Sequence, residues 1–213
     1  MPYNDSDLMA ANRTLFSSEV DDFTEERYAQ FFRHLPADAI SVLDVGCNTG
    51  RGGAVLKRLA PGLKIDGLDC VPERLNALQE QVYDRTICSF TDSIDAKTRS
   101  YDAIVAGEFL EHVPPEQVYP TLCEFFRLLK LKGRLMMTTP NPRYLKNRLR
   151  HLSVLLDPSH VTQHYPERLR NRLMDVGFSS VTILGSGRVS RKLGKRFPVL
   201  SVYGSYLVIA TKW

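Results

Sequence analysis

The sequence predicts an α/β fold, a doubly wound sheet of seven mostly parallel strands with helices on both faces. Three observations lead to this prediction. Apolar runs of β type alternate with longer amphipathic runs along the chain, which is the pattern of strand–helix–strand units. A glycine-rich turn at 46–52 joins the first strand to a helix. The length of 213 residues suits one domain with some embellishment, and no repeat or linker divides it.

Each strand is predicted from an apolar run rich in β-forming residues. The seven runs are 40–46, 64–69, 86–90, 101–107, 133–140, 179–184 and 206–212. In a doubly wound sheet the ligand binds at the carboxyl ends of the strands. We therefore expect the functional residues in the turns that follow the strands.

The helices are predicted from amphipathic runs and from the residues at their ends. The opening helix, 24–34, begins at Thr24, a good N-cap residue, and places Tyr28, Phe31 and Leu35 at helical spacing. Further helices are predicted over 52–59, from Pro72 with Leu75, Leu78 and Val82 on one face, over 115–129, and over 166–176 with Gly177 as C-cap. A basic insert, 188–197, separates the last two strands.

The composition excludes several classes of protein. With 43% hydrophobic and 24% charged residues, 13 Gly and 12 Pro, the chain is neither collagen-like, disordered nor of low complexity. No apolar run is long enough to span a membrane, and residues 1–7 lack the basic segment of a signal peptide. We expect a cytoplasmic protein. Cys47, Cys70, Cys88 and Cys123 form no C-x-x-C pair, so neither a disulfide framework nor a zinc ribbon is predicted.

The charge is distributed unevenly along the chain. Residues 1–142 carry 15 Lys and Arg against 21 Asp and Glu, whereas residues 143–213 carry 13 against 3. This asymmetry favours an anionic partner for the later segment, namely a phosphorylated or carboxylated substrate, an RNA backbone or an acidic membrane surface. The alternative is a solvated basic face without a partner.

The segment 42–52, V-L-D-V-G-C-N-T-G-R-G, is the most informative stretch of the chain. It is not a G-x-G-x-x-G dinucleotide fingerprint, because Asn48 and Arg51 occupy glycine positions, and it lacks the Gly-Lys pair of a P-loop. Asp44 at the strand end would repel a phosphate, so a cationic ligand is favoured. Asp69 closes the second strand, where a carboxylate accepts hydrogen bonds from both ribose hydroxyls of a nucleoside.

An adenosine-like ligand with a positively charged end is S-adenosylmethionine. On these motifs the chain resembles the class I S-adenosylmethionine-dependent methyltransferases, over 40–140 and more loosely to its C terminus. The resemblance implies a Rossmann-like sheet with these donor contacts: Asp44, Gly46, Cys47 and Gly50 on the methionine side, Asp69 at the ribose, and Cys70 and Val71 beside the adenine. The alternative is that the glycines only form a tight turn.

The implied domain covers 1–213, with an N-terminal helical extension (1–39), a donor-binding core (40–140) and a basic acceptor-side segment with the last two strands (141–213). Two positions depart from the family pattern. Asn48 replaces a loop glycine, but asparagine tolerates the left-handed backbone. The third strand ends without the usual acid, so either the backbone near Phe90 or a shifted Asp92 contacts the adenine amine.

The turn after the fourth strand carries the candidate catalytic residues. Glu108 lies beside the expected donor methyl group, and in one helical turn Glu108, Glu111 and His112 share a face. Together with His160 they could ligate a divalent metal. This set resembles the metal constellation of small-RNA 2′-O-methyltransferases and of ubiquinone-pathway O-methyltransferases, which implies a metal that binds two neighbouring hydroxyls. The alternatives are a metal-free base, His112 or His160, or mere capping and packing.

The acceptor is predicted to be an oxygen of a small molecule. Enzymes that methylate base amines carry an Asn/Asp-Pro-Pro-aromatic tetrad after the fourth strand, and this chain does not. Asn141, in a loop after the fifth strand, is a candidate acceptor contact. Two basic groups are candidates for binding phosphate: Arg143, Lys146, Arg148 and Arg150, and Arg188, Arg191, Lys192, Lys195 and Arg196.

We therefore predict O-methylation of a small, anionic acceptor of the sugar or phenol type. Two alternatives stay open. The first is an RNA 2′-O-methyltransferase with metal-assisted chemistry, although the chain shows no appended RNA-binding domain. The second is a non-catalytic partner subunit that binds the donor.

Overall fold

The computed structural model describes residues 9–10, 12–13, 23–78 and 81–213, and it contains a seven-stranded sheet. The strands are β1 (Ser41–Val45), β2 (Lys64–Asp69), β3 (Arg85–Cys88), β4 (Tyr101–Gly107), β5 (Leu129–Pro140), β6 (Ser180–Ser186) and β7 (Ser205–Thr211). Their order is β3-β2-β1-β4-β5-β7-β6. Only β7 runs antiparallel to its neighbours, β5 and β6. The predicted doubly wound, mostly parallel sheet is confirmed.

Helices cover both faces of the sheet. They are α1 (Phe23–Phe32), α2 (Arg51–Leu59), α3 (Pro72–Asn76), α4 (Pro115–Leu128), α5 (Leu145–Leu149), α6 (Pro166–Val176) and α7 (Ser190–Leu193). Two apolar cores result. One contains Phe31 of α1 and Leu56 of α2, and the other contains Phe125 of α4 and Leu173 of α6. The longer helices α1, α2, α4 and α6 each bury apolar side chains of one face, as the sequence period requires, whereas the short helix α5 buries none.

Several element boundaries differ from the prediction. The helix that begins at Pro72 ends at Asn76, so Val82 does not continue its face. The chain instead turns inward and buries Val82 and Tyr83. Helix α4 passes directly into β5, which begins four residues earlier than predicted. The basic insert contains the short helix α7. Of the predicted N-terminal extension, residues 1–8, 11 and 14–22 lie outside the described residues.

The sheet topology brings the predicted site residues to one edge. Strand β1 lies between β2 and β4, and Val45 at its end pairs with Leu68 and Ala106. The carboxyl ends of these three parallel strands therefore meet where the strand order reverses, which is where a doubly wound sheet binds its ligand. Within the described ranges, no helix combines the length and the apolar character that crossing a membrane requires.

Candidate active site

A cavity of about 470 Å³ opens at the carboxyl ends of β1, β2 and β4. Its walls include Gly46, Cys47, Asn48, Asp69, Cys70, Phe90, Glu108, His112, Asp157 and His160. Helix α1 contributes Arg27 and Tyr28 from the opposite side. The structure thus brings the turn after β1, the end of β2 and the turn after β4 around one space, as the sequence predicts.

The turn after β1 follows a left-handed path. Gly46, Asn48 and Gly50 have φ values of 67°, 47° and 81°. A Cβ atom on Gly46 would lie 2.8 Å from the Phe109 ring, so glycine is required there for space as well as for backbone conformation. The expectation that Asn48 adopts the left-handed conformation is confirmed. Gly50 precedes α2 as its N-cap and does not line the cavity.

Asp69 is held rigidly at the end of β2. Its Oδ2 accepts a hydrogen bond from the Asn48 backbone N–H at 3.0 Å, and its Oδ1 accepts one from the Val71 N–H at 2.9 Å. The Arg74 guanidinium lies 3.7 Å from Oδ1 and balances the buried charge. Because each carboxylate oxygen keeps a further lone pair, this geometry suits the ribose contact predicted for Asp69, which borders the cavity.

Asp44 lies beneath the turn and not in the cavity wall. It is fully buried, and its two oxygens accept hydrogen bonds from the hydroxyls of Tyr28, at 2.6 Å, and Tyr83, at 2.8 Å. Two glycines of α2 make room for these rings, because a Cβ on Gly52 would lie 2.0 Å from Tyr28 and one on Gly53 would lie 2.4 Å from the Tyr83 hydroxyl. Asp44 does not line the cavity itself, but its hydrogen-bond partner Tyr28 does.

Burial raises the pKa of Asp44 to about 6, although the hydrogen bonds from Tyr28 and Tyr83 act to lower it. An acid whose pKa is higher in the folded than in the unfolded chain stabilises the fold below its unfolded pKa. That stability is lost as the pH rises through the folded pKa. We expect the free energy of unfolding of the wild type to fall relative to that of Asp44→Asn, by about 2–3 kcal/mol between about pH 4 and pH 7.5. Urea unfolding at both pH values measures the difference, and parallel behaviour of the two proteins would contradict it.

The predicted adenine contacts separate into two groups. Cys70 and Phe90 line the cavity. Val71 is buried behind it and holds Asp69 through its backbone N–H. Asp92 is exposed and lies outside the cavity wall. Of the two alternatives for the adenine amine, the geometry favours the backbone near Phe90.

Glu111, His112 and His160 form a compact group, and its two histidines line the same cavity as the turn after β1. One potential ligand atom from each lies within 4.8 Å of the others. The two imidazole rings meet edge to face, with centroids 5.1 Å apart. Glu111 and His112 belong to a 3-10 turn, Leu110–His112, whereas His160 comes from a loop 48 positions later, so the group exists only in the folded chain.

The hydrogen bonds of this group leave ligand atoms available. Nδ1 of His112 lies 2.9 Å from the Ser159 carbonyl oxygen, and Nδ1 of His160 lies 2.9 Å from the Val154 carbonyl oxygen. Because a carbonyl oxygen only accepts, the neutral form of each ring carries its proton on Nδ1 and its lone pair on Nε2. Burial lowers the pKa of His112, which favours this neutral form.

Glu111 presents an unmatched polar atom. Its Oε2 accepts a hydrogen bond from the Thr139 hydroxyl at 3.0 Å, but its Oε1 is buried without a hydrogen-bond partner. Burial and the nearby Glu108 carboxylate raise the pKa of Glu111 well above its ordinary value. A buried orphan oxygen beside two imidazole nitrogens is a donor set that fits a divalent metal.

Glu108 lies outside this group of three. Its backbone is left-handed, with φ 49°, so it does not share a helical face with Glu111 and His112. Its carboxylate faces Arg27, whose Nε is 3.9 Å away, and the Ser205 hydroxyl at 3.4 Å. Of the four predicted metal ligands, the structure thus brings three together, Glu111, His112 and His160, and leaves Glu108 apart.

Other candidate residues have structural partners. The Asn141 amide donates to the carbonyls of Leu200 and Tyr203, and the residue is buried away from the cavity. Of the two basic groups, only Arg188 lines a cavity, a second one that shares Arg27 and Glu108 with the first. Arg143 instead forms an ion pair with Glu167 at 2.7 Å.

Sequence reasoning missed Arg27, Tyr28 and Arg74 as cavity residues. It also missed Tyr83 as a buried hydrogen-bond partner of Asp44. The spacing of Tyr28 indicated only a core position. No local pattern connects either tyrosine to Asp44, which is 16 residues from Tyr28 and 39 from Tyr83.

Comparison with known proteins adds three findings. The profile of a family described as "Methyltransferase domain" matches residues 17–183. The mitochondrial ubiquinone biosynthesis O-methyltransferase of Mus musculus is 29% identical over 167 residues, which cover 70% of this chain and 44% of that protein. The ubiquinone biosynthesis O-methyltransferase of Xanthomonas oryzae is 37% identical over 106 residues, which cover 47% of this chain and 43% of that protein. The chain thus spans less than half the length of these relatives.

A solved structure gives the same result for the fold. A SAM dependent methyltransferase from Archaeoglobus fulgidus superposes with a TM-score of 0.70 at 21% identity, covering 88% of this chain and 92% of that one. At this identity the match establishes a shared fold.

Proposed function

The chain belongs to the family of methyltransferase domains, and from this premise we propose that it moves a methyl group from S-adenosylmethionine to an oxygen of a small acceptor. One observation carries the proposal. His112 and His160, which form a group with the buried Glu111, line the cavity around which the turn after β1 and Asp69 are arranged. We further propose that residues 1–213 act as a single domain of this kind, as the sequence predicts.

The donor supplies an electrophilic methyl group on a sulfonium ion. In our proposal the turn at Gly46 and Cys47 receives its methionine part, Asp69 accepts hydrogen bonds from its ribose, and Cys70 and Phe90 border its adenine. Asp44 supports this site indirectly, because it anchors Tyr28 in the cavity wall. The protein's contribution is to hold donor and acceptor in line, which supplies much of the acceleration in a displacement reaction.

An oxygen acceptor must lose its proton, and the three-residue group suits that task. Glu111, His112 and His160 would hold a divalent metal through one carboxylate oxygen and two Nε2 atoms. When bound there, such an ion lowers the pKa of a hydroxyl that it contacts. The backbone carbonyls of Ser159 and Val154 orient the imidazoles, and such supporting contacts are typical of metal-binding histidines.

The acceptor class is proposed on the same basis as in the sequence analysis, a small anionic molecule of the sugar or phenol type. The relatives named above support a small-molecule acceptor. No observation on the described residues favours the RNA alternative, because the basic groups do not form a lining of the cavity.

The test combines donor binding, metal content and product. We expect S-adenosylmethionine to bind with a stoichiometry of one, and divalent metal to copurify with untagged protein. Radiolabelled methyl transfer would be measured with 3,4-dihydroxybenzoate, glucuronate and their singly hydroxylated analogues, with and without added Mg²⁺ or Mn²⁺. Metal-dependent O-methyl products from acceptors with neighbouring hydroxyls would support the proposal. Absence of donor binding, or of methyl transfer to any of these hydroxylated acceptors, would contradict it.

A further inference from the structure

A second cavity, of about 360 Å³, lies next to the first. It is partly open to solvent and is bordered by α1, by the turn that follows β6, by the residues that begin β7 and by Tyr144 and Asn147. Arg27 and Glu108 line both cavities and therefore form their common wall. Because the first cavity must hold a donor the size of a nucleoside joined to an amino acid, the second cavity offers the acceptor a separate space at the carboxyl edge of the sheet.

The lining of the second cavity is rich in hydrogen-bonding groups. They are contributed by Gln30, Asn147, Ser186, Arg188 and Ser205. Pockets for apolar ligands are lined mainly by aliphatic and aromatic side chains with few polar groups. In this cavity polar side chains outnumber the purely apolar ones, Phe23 and Val189, although carbon atoms form the larger part of the exposed lining. A ligand that carries several hydroxyl groups on a carbon ring, as a sugar does, fits this combination.

At the second cavity the Arg188 guanidinium has no ion-pair partner among the described residues. Glu26 is paired with Arg191 at 2.6 Å, and Glu108 faces Arg27 at 3.9 Å. The Arg188 guanidinium lies 5.0 Å from the centre of the Phe23 ring. Among the residues that the structure describes, no carboxylate lies within ion-pair distance of Arg188. Arg188 is therefore available to an anionic group of a ligand.

Glu108 supplies the second anchor point. Its Oε1 is buried without a hydrogen-bond donor, and its φ of 49° is uncommon for a residue with a side chain. Strained backbone of this kind clusters at ligand sites. A ligand hydroxyl at the common wall would donate to Oε1 and satisfy it.

We propose that the second cavity binds the methyl acceptor, and that the acceptor is a hydroxyl-rich acid, a sugar carboxylate or sugar phosphate, with its anionic group at Arg188 and its reacting hydroxyl at Glu108. This inference rests on the proposed function. In the transfer the sulfonium C–S bond breaks as the O–C bond forms, and its electron pair stays on sulfur. The hydroxyl proton, whose loss a metal held by Glu111, His112 and His160 would assist, passes to the Glu108 carboxylate.

The experiment is isothermal calorimetry on protein saturated with S-adenosylhomocysteine, the demethylated donor. The probes are glucuronate, glucose 6-phosphate, glucose and 3,4-dihydroxybenzoate. We expect the two anionic sugars to bind at least about tenfold more tightly than glucose, the stronger of the two identifying the anionic group. Arg188→Met is expected to remove that advantage and to leave glucose binding unchanged. Arg170→Met, an exposed arginine on α6 that lines neither cavity, is the matched control.

Three outcomes would overturn the inference. The first is that neither anionic sugar shows saturable binding at millimolar concentration. The second is that Arg188→Met and Arg170→Met lose affinity for the anionic sugars to the same extent. The third is that 3,4-dihydroxybenzoate binds more tightly than both sugars. Failure of the proposed function is distinguishable, because it would show as failure of the wild type to bind S-adenosylhomocysteine before any probe is added.

Discussion

Replacing Asp69 with alanine is expected to weaken S-adenosylmethionine binding by about a hundredfold or more. The variant loses a carboxylate that borders the cavity, and hydrogen bonds to a charged group contribute about 1.5–3 kcal/mol each. It also loses the two hydrogen bonds that Asp69 accepts from the backbone N–H groups of Asn48 and Val71. The turn after β1 is then no longer held against the end of β2. Calorimetric titration with S-adenosylmethionine measures the change.

Asp92→Ala is the matched control for this experiment. Asp92 is an exposed aspartate near the end of β3 and outside the cavity wall, so its donor affinity should match that of the wild type. If Asp69→Ala bound the donor almost normally, the ribose contact would be wrong. If Asp92→Ala instead lost donor affinity, Asp92 would be favoured as the adenine contact.

Replacing His160 with alanine is expected to remove bound divalent metal and to lower kcat by about a hundredfold to a thousandfold, while the donor affinity changes by less than about twofold. The reason is geometric. His160 contributes one of the three potential ligand atoms in the group with Glu111 and His112. Metal content by elemental analysis, kcat and the donor Kd are the three measurements.

His151→Asn provides the control for His160→Ala. His151 is exposed and lies in the same connection, at φ 53°, and asparagine tolerates that conformation. It should keep both metal and turnover. Retention of full metal by His160→Ala would remove His160 from the ligand set, whereas equal losses of turnover and donor affinity would mean that His160 only shapes the donor site.

The donor side was predictable because its signals are local. A buried strand, a turn that needs left-handed backbone at Gly46, Asn48 and Gly50, and an acid at the end of the next strand are all visible within 42–69. The order of strands then follows from the parallel α/β pattern. The one-turn helix expected over 108–112 was not borne out, because Glu108 leaves β4 in a left-handed conformation and only Leu110–His112 form a turn.

The acceptor side was harder to predict from the sequence, because the residues that meet there are far apart along the chain. Arg27 and Glu108 form the common wall of two cavities although 81 positions separate them. Arg188 reaches the second cavity from a turn whose course depends on how β6 and β7 pair. The sequence indicated basic residues there but gave no means of selecting one of nine.

The sequence by itself determined the sheet, the helices on its two faces and the left-handed turn after β1, because strand and helix periods and turn residues act over a few positions. Only the tertiary structure decided which charged side chains have partners within the protein. It buries Asp44 under Tyr28 and Tyr83, separates Glu108 from Glu111, and leaves Arg188 without a carboxylate among the described residues. Electrostatic interaction falls with distance and depends on burial, and both are properties of the folded chain.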